Sequence, residues 1–341
     1  MILDRLLSPA ILVAMIVGVL IAFDTARFHG VFIRPLLVIH SAATIFITMW
    51  PVLTKVQYET MPQIFRDSGI WVHIGISLFF NWIVGSLVMV GLAWATLSDL
   101  PTYRVGVIMV GLARCIAMVL IWCQPAKGDA NYCAILDVIN SVLQIILYST
   151  YTLLFVNVIG SRDTSYTHLD YGNVAISVLI YLGITLVAGI VTRYTVWYLT
   201  SKAFLEGRFL RFGPFTFLGL LYTILVMFAY QGYHIVHNIG PVFRVFVPVI
   251  LYFVIMWTSA FGSADGTKTA KTSAATDYTF KELAIAVTIT TYGVGSDEVL
   301  AATIGPLVEV PVLVSLTWAA LYLQRKLKWT SGEQRDANTN V

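Results

Sequence analysis

Ten apolar runs take up almost the whole of this chain. They fall near residues 8–23, 33–53, 70–97, 103–123, 132–159, 174–200, 214–232, 241–262, 282–295 and 299–324. Most are long enough to cross a hydrocarbon core of about 30 Å at about 1.5 Å per helical residue. Only 11% of the 341 residues are charged and 58% are hydrophobic, where soluble domains carry about 25% charge. The loops between the runs are short and punctuated by Pro101, Pro125-Ala-Lys-Gly128 and Gly213-Pro214. In a bilayer such runs must satisfy their own backbone hydrogen bonds, which makes them helices. The expected fold is therefore an all-α polytopic membrane protein. One transmembrane domain covers 1–328, a polar tail covers 329–341, and no stretch is left for a sizeable soluble domain.

The positive charges give the orientation. Loops counted alternately from the N-terminus hold 14 Lys and Arg on one side and 5 on the other, with Arg114 and Arg193 inside apolar runs. The richer side is cytoplasmic, so both termini are expected there and the number of spans is even. The first run does not read as a signal peptide, because Asp4 accompanies Arg5 and no small-x-small cleavage site follows. Ten spans divide into five and five. A five-span unit inverts on repetition, the arithmetic of inverted-repeat carriers. Repeat one is expected over about 1–160 and repeat two over about 172–326. The fourth span is interrupted at Gly111-Leu-Ala-Arg-Cys115, and the ninth follows an unusually polar stretch, Thr267–Lys281.

Arg114 and Cys115 stand inside the fourth run. A guanidinium at bilayer depth costs about 2.5–3.5 kcal/mol on insertion scales, so it is retained for use or for pairing. Arg114 and a half-helix N-terminus would both keep the Cys115 sulfur reactive. The plain alternatives are a packed small residue at Cys115 and a structural partner at Arg114. Three cysteines, Cys115, Cys123 and Cys133, lie within 19 residues and do not resemble a secreted disulfide framework. Glu309 sits between Pro306 and Pro311 in the last run. A carboxylate there is a proton relay, an ion-site residue, or a partner for Arg114 or Arg193. The prolines remove backbone donors around it. Asn81, Asn140 and Gln144 read as hydrogen-bonding residues between helices. Asp297 and Glu298 read as an acidic turn between the last two spans. His234 and His237 share a helical face but lack further ligands for a metal. No nucleotide loop, nucleophile elbow or zinc spacing occurs, so an enzyme is not expected and any work must come from an ion gradient.

Two segments carry a resemblance. Gly111-Leu-Ala-Arg-Cys-Ile-Ala-Met-Val-Leu-Ile-Trp122 with Gly128-Asp129, and Ile304-Gly-Pro-Leu-Val-Glu-Val-Pro-Val-Leu313, resemble signatures of the arsenite efflux permeases, within the bile acid/arsenite/riboflavin transporter superfamily. Pro51-Val-Leu-Thr-Lys-Val-Gln-Tyr-Glu59, Asn81-Trp82-Ile-Val-Gly85, Asn140-Ser141 and Glu282-Leu-Ala-Ile-Ala-Val287 extend it along nearly the whole chain. The resemblance implies ten spans in two inverted five-helix repeats, with crossed broken helices at spans four and nine. It implies export of arsenite, and in some members antimonite, in exchange for protons. The family's essential cysteine falls on Cys115 and its essential carboxylate on Glu309. Arg114, Glu282, Asn140 and Cys133 are secondary candidates for binding or coupling.

The sequence departs from the family pattern before Glu282. Thr279-Phe-Lys281 replaces an Asn-Asn-Phe run, and 265–277 is polar where a half-helix is usually apolar. A shortened or displaced first half of span nine is therefore expected. Cys123 replaces an Asn, and Asp137 stands where an apolar residue is usual. The expected partners are arsenite or antimonite, protons and the lipid bilayer, most naturally the plasma membrane. No cofactor, metal or nucleic acid is expected. Two other readings compete: a sodium-coupled carrier of organic anions, and a degenerate paralogue or sensor that does not transport.

Overall fold

A computed structural model describes residues 13–22, 68–113, 130–159, 170–199, 239–263 and 296–326. It adds isolated positions at 10, between 50 and 58, and between 218 and 237. Every regular element among the described residues is helical. Val13–Ala22 forms α1. Ser68–Leu78 (α2) continues through a π-helical stretch, Phe79–Gly85, into Ser86–Thr96 (α3). A short turn leads to Pro101–Leu112 (α4). Ala130–Thr152 (α5) runs on into a second π stretch, Leu153–Val158. Tyr171–Val178 (α6) and Ile184–Leu199 (α7) flank a third, Leu179–Gly183. Ile239–Ser263 (α8) and Asp297–Lys326 (α9) complete the set.

Among the described residues, four stretches are long and apolar enough to cross a membrane: Ile74–Thr96, Val138–Val158, Tyr171–Leu199 and Ile239–Ser259. They match the expected third, fifth, sixth and eighth spans. Their outward faces are apolar, with Ile83, Leu87, Ile146, Ile176, Val187, Val191 and Val254 exposed. A soluble protein buries such surface, whereas in lipid it costs nothing. The protein is an integral membrane protein. The expected ninth span, 282–295, and the polar stretch 265–281 lie outside the described residues, as do most of the second and seventh spans.

α4 differs from the other helices. Proline stands at its first turn, where the missing N–H is not needed. Every residue from Tyr103 to Leu112 is buried, which is the signature of a helix enclosed by protein on all sides. Twelve residues rise only about 18 Å, too short to cross the bilayer. The helix stops where the sequence interrupts the fourth span: Ala113 is extended at φ −70° and ψ 145°. α4 packs against α3, α5, α8 and most extensively against α9, and α8 packs on both α3 and α9. The main apolar core lies among these helices.

The contact of α4 with α9 is backbone-close. A Cβ on Gly106 would collide with the Glu298 carbonyl and stand 2.8 Å from Ala301 Cβ. One turn on, a Cβ on Gly305 would stand 3.3 Å from Val110 Cγ1. Both helices advance four residues between these contacts, so they run side by side in the same direction. At the other end of α4, a Cβ on Gly111 would occupy the place of the Met89 side chain on α3.

α9 stays helical for 30 residues through both prolines. Pro306 and Pro311 take away the amide donors that the carbonyls of Ala302 and Leu307 would ordinarily receive. The buried positions Glu298, Ala301, Ala302, Gly305, Val308 and Glu309 fall on one face of the helix.

Candidate functional site

Glu309 is the site residue that the structure describes most fully. It lies in the middle of α9 and is 1% exposed. Its face of the helix is the one laid against α4 through Ala301 and Gly305. Glu309 follows Gly305 by one turn of α9, on the side of Gly305 toward which α4 runs to its end at Ala113. Arg114 and Cys115 follow next in the chain and lie outside the described residues, as does Glu282. Cys133 and Asp137 belong to α5 by backbone, with their side chains outside the description.

Asn140 is buried on α5 and accepts a hydrogen bond from Trp82 Nε1 at 3.0 Å. The role read for it, a tie between helices, is what the structure displays. Trp82 belongs to the first π-helical stretch and stacks on Tyr151 with ring centres 5.8 Å apart. Asn81, its neighbour, is buried and donates to Ser77 Oγ at 3.3 Å. π-helical turns interrupt the regular ladder and recur at functional sites. Here one places two polar side chains, Asn81 and the Trp82 indole, inside the bundle. Gln144 and Tyr148 follow Asn140 at intervals of four and are also buried. The Tyr148 hydroxyl donates to the Met109 carbonyl of α4 at 3.2 Å.

Two of the five arginines on the poorer side of the loop count, Arg104 and Arg244, belong to helices. Arg104 is buried in α4, with its guanidinium 3.8 Å from the centre of the Trp94 ring and a hydrogen bond to the Ser98 carbonyl at 3.1 Å. Cation–π contact and carbonyl bonding let that charge stay inside. Arg244 lies in α8 and forms a two-pronged ion pair with Asp99, both bonds 2.5 Å, and donates to the Thr96 carbonyl at 3.2 Å. The guanidinium beside Asp99 holds its carboxyl below the usual carboxylate range. Tyr103 donates to Asp297 at 3.0 Å, tying the first turns of α4 and α9. At Glu298, burial pushes the carboxyl up, against hydrogen bonds from its own backbone amide and Ser296. Arg193 is fully buried on α7 and donates to the Thr54 carbonyl at 3.1 Å. Beside it, Trp50 Nε1 donates to Thr192 Oγ1 at 3.0 Å. His237 is exposed, and His234 lies outside the described residues.

The sequence reading missed Tyr148 as a site residue. Seventeen tyrosines made it one aromatic among many. The spacing of Asn140, Gln144 and Tyr148 was the available signal, since it lines one face of α5 with polar atoms.

Comparison with known proteins decides the family. The model of the sodium bile acid symporter family matches residues 42–238. Over 295 residues the chain is 39% identical to the arsenical-resistance protein Acr3 of Corynebacterium glutamicum, covering 84% of this chain and 79% of that one. The chain belongs to the arsenite efflux permeases of the bile acid symporter family. It is also 27% identical over 291 residues to the arsenical-resistance protein Acr3 of Alkaliphilus metalliredigens, covering 81% of this chain and 79% of that protein. An uncharacterized transporter of Synechocystis is 26% identical over 305 residues, covering 81% and 76%. This is a family of transporters, not of enzymes.

Proposed function

We propose that the chain is a secondary exporter of arsenite that takes up protons in exchange, with Cys115 as soft ligand and Glu309 as proton carrier. The observation that carries this reading is the end of α4. The helix stops at Leu112 within the bundle, just before Arg114-Cys115 in the chain, and Glu309 is buried on α9 one turn beyond Gly305, the position that meets Val110. A short enclosed helix with a free end is how inverted-repeat carriers build a midplane site. The relatives named for arsenical resistance support the same cargo.

The chemistry follows from the groups. Arsenite near neutral pH is mainly an uncharged trihydroxide with a thiophilic centre. The Cys115 sulfur attacks arsenic, an As–S bond forms and an As–O bond breaks. The departing hydroxide leaves as water with the thiol proton, and hydrolysis on the far side reverses the step. One thiolate keeps the bond reversible, where three would hold the metalloid too tightly for turnover. Arg114 keeps the sulfur reactive and answers the Glu309 charge. A carboxylate at that depth is retained for proton or ion work. Protons entering on Glu309 are exchanged for metalloid leaving.

The sidedness fits as well. The turn with Asp99 and the first turns of α8 and α9 share one end of the bundle, joined by Arg244–Asp99 and Tyr103–Asp297. In the charge count these segments fall on the poorer side. That supports the alternation behind ten spans and cytoplasmic termini; the plasma-membrane address and the division near 1–160 and 172–326 are proposed with it from the sequence.

The test is metalloid accumulation in cells stripped of arsenite efflux, with arsenite and antimonite in parallel. The chain should lower accumulation, and Cys115→Ser should restore it. Equal accumulation in wild type and Cys115→Ser sinks the reading. Glu309→Gln should reach the membrane yet export nothing, and collapse of the proton gradient should stop the wild type. The matched family's name favours a second reading, sodium-coupled uptake of an organic anion, with Glu282 as a partial ion ligand. Sodium-dependent uptake of a labelled bile acid would support it, and no sodium effect removes it. Robust efflux by the unmodified chain disposes of a non-transporting paralogue.

A further inference from the structure

The end of α4 is held from two sides. A helix end leaves its last carbonyls without intrahelical donors. In α4 the carbonyl of Met109 accepts the Ala113 amide at 3.3 Å, a long bond. The same carbonyl accepts the Tyr148 hydroxyl at 3.2 Å. Tyr148 is completely buried, and its ring belongs to the main core. A tyrosine ring has two soft torsions, so once packed it fixes its hydroxyl at a set distance from α5. Met89 of α3 fills the space over Gly111. The last turn of α4 is therefore held by both a rigid hydrogen-bond donor and a close apolar contact.

We propose that Tyr148 is a positioning residue of the transport site: through the Met109 carbonyl it fixes the place where the chain leaves α4. The proposal rests on the metalloid reading for its consequence in transport, and on the fold alone for its consequence in geometry. Tyr148→Phe keeps the ring and removes the donor. Losing one such bond weakens the poised geometry by about 3- to 10-fold.

Two readouts are taken on purified, folded protein with all three cysteines in place, labelling at Cys115 being read from its own peptide by mass spectrometry. The first is arsenite transport in proteoliposomes, split into KM and kcat. The second is the rate of maleimide alkylation of Cys115, which needs no substrate. Tyr148→Phe should raise KM about fivefold at nearly constant kcat, and alkylation should run at least about threefold faster as the chain beyond α4 gains freedom. Tyr198→Phe, at an exposed position of α7, should change neither. Tyr148→p-aminophenylalanine retains a weaker donor at the same reach and should fall between wild type and Tyr148→Phe. It serves alone if the phenylalanine variant is not recovered folded. A wild-type alkylation rate in every folded Tyr148 variant overturns the proposal. Absence of arsenite transport by the wild type counts against the metalloid reading, while the alkylation arm still judges Tyr148.

Discussion

α4 and the span formed by α2 and α3 obey opposite rules although they are consecutive in the chain. The span Ile74–Thr96 is long, apolar on its outward face and half exposed to the surroundings. α4 is short, enclosed and pressed against the α9 backbone through Gly106. Glycines show the contrast directly. A Cβ on Gly75 or Gly91 of the long span meets nothing within 4 Å, while one on Gly106 meets a carbonyl. A lipid-facing helix needs apolarity and length, and almost any apolar shape serves. An enclosed half-helix needs a particular shape, because its neighbours are protein packed to native density.

The comparison breaks most easily at Gly106. Gly106→Val drives two methyls into α9 and should cost about 3 kcal/mol or more, leaving little monodisperse protein in detergent. Normal yield would show that α4 and α9 separate without cost. Gly111→Ala displaces the Met89 side chain and should cost about 1–3 kcal/mol, with export falling further than thermal stability does. A third change concerns the rim. Asp99→Asn removes the pair with Arg244 and should lower the melting temperature slightly at neutral pH. The Asp99 carboxyl is depressed in the folded state, so its contribution is complete above the ordinary carboxylate range and fades as pH falls through the depressed value. That acid-side step should vanish in Asp99→Asn; its persistence would assign the step to another group. The smallest effect belongs to Gly91→Ala, within about 1 kcal/mol of wild type and more often a gain, since alanine is the better helix former. A large loss there would mean that this face is packed against protein.

The sequence disclosed what depends on local pattern. Apolar length announced the spans described here as third, fifth, sixth and eighth, and Gly111-Leu-Ala-Arg announced the stop at Ala113. Glu309 stood out as a carboxylate flanked by valines between two prolines. Partnerships were not legible, because they join residues far apart in sequence: Tyr148 with Met109, Trp82 with Asn140, Arg244 with Asp99. Arg104 was counted as a loop charge because an arginine near a span edge resembles one. Its burial depends on Trp94, ten residues earlier and across a turn. The π-helical stretches carry no compositional mark at all. Cys115, Arg114 and Glu282 stand on sequence and kinship, outside the described residues.

The abrupt end of α4 has an electrical consequence. A helix carries about half a negative charge at its C-terminal end, and ordinarily water screens it. α4 ends inside the protein, where little water is available to do so. The next ionisable residue in the chain is Arg114. Cations near a helix C-terminus are stabilised by about 0.3–1 kcal/mol at exposed sites and up to about 2 kcal/mol when partly buried. By position in the chain, the charge that looked costly in an apolar run directly follows a buried negative pole, the kind of end that favours a cation.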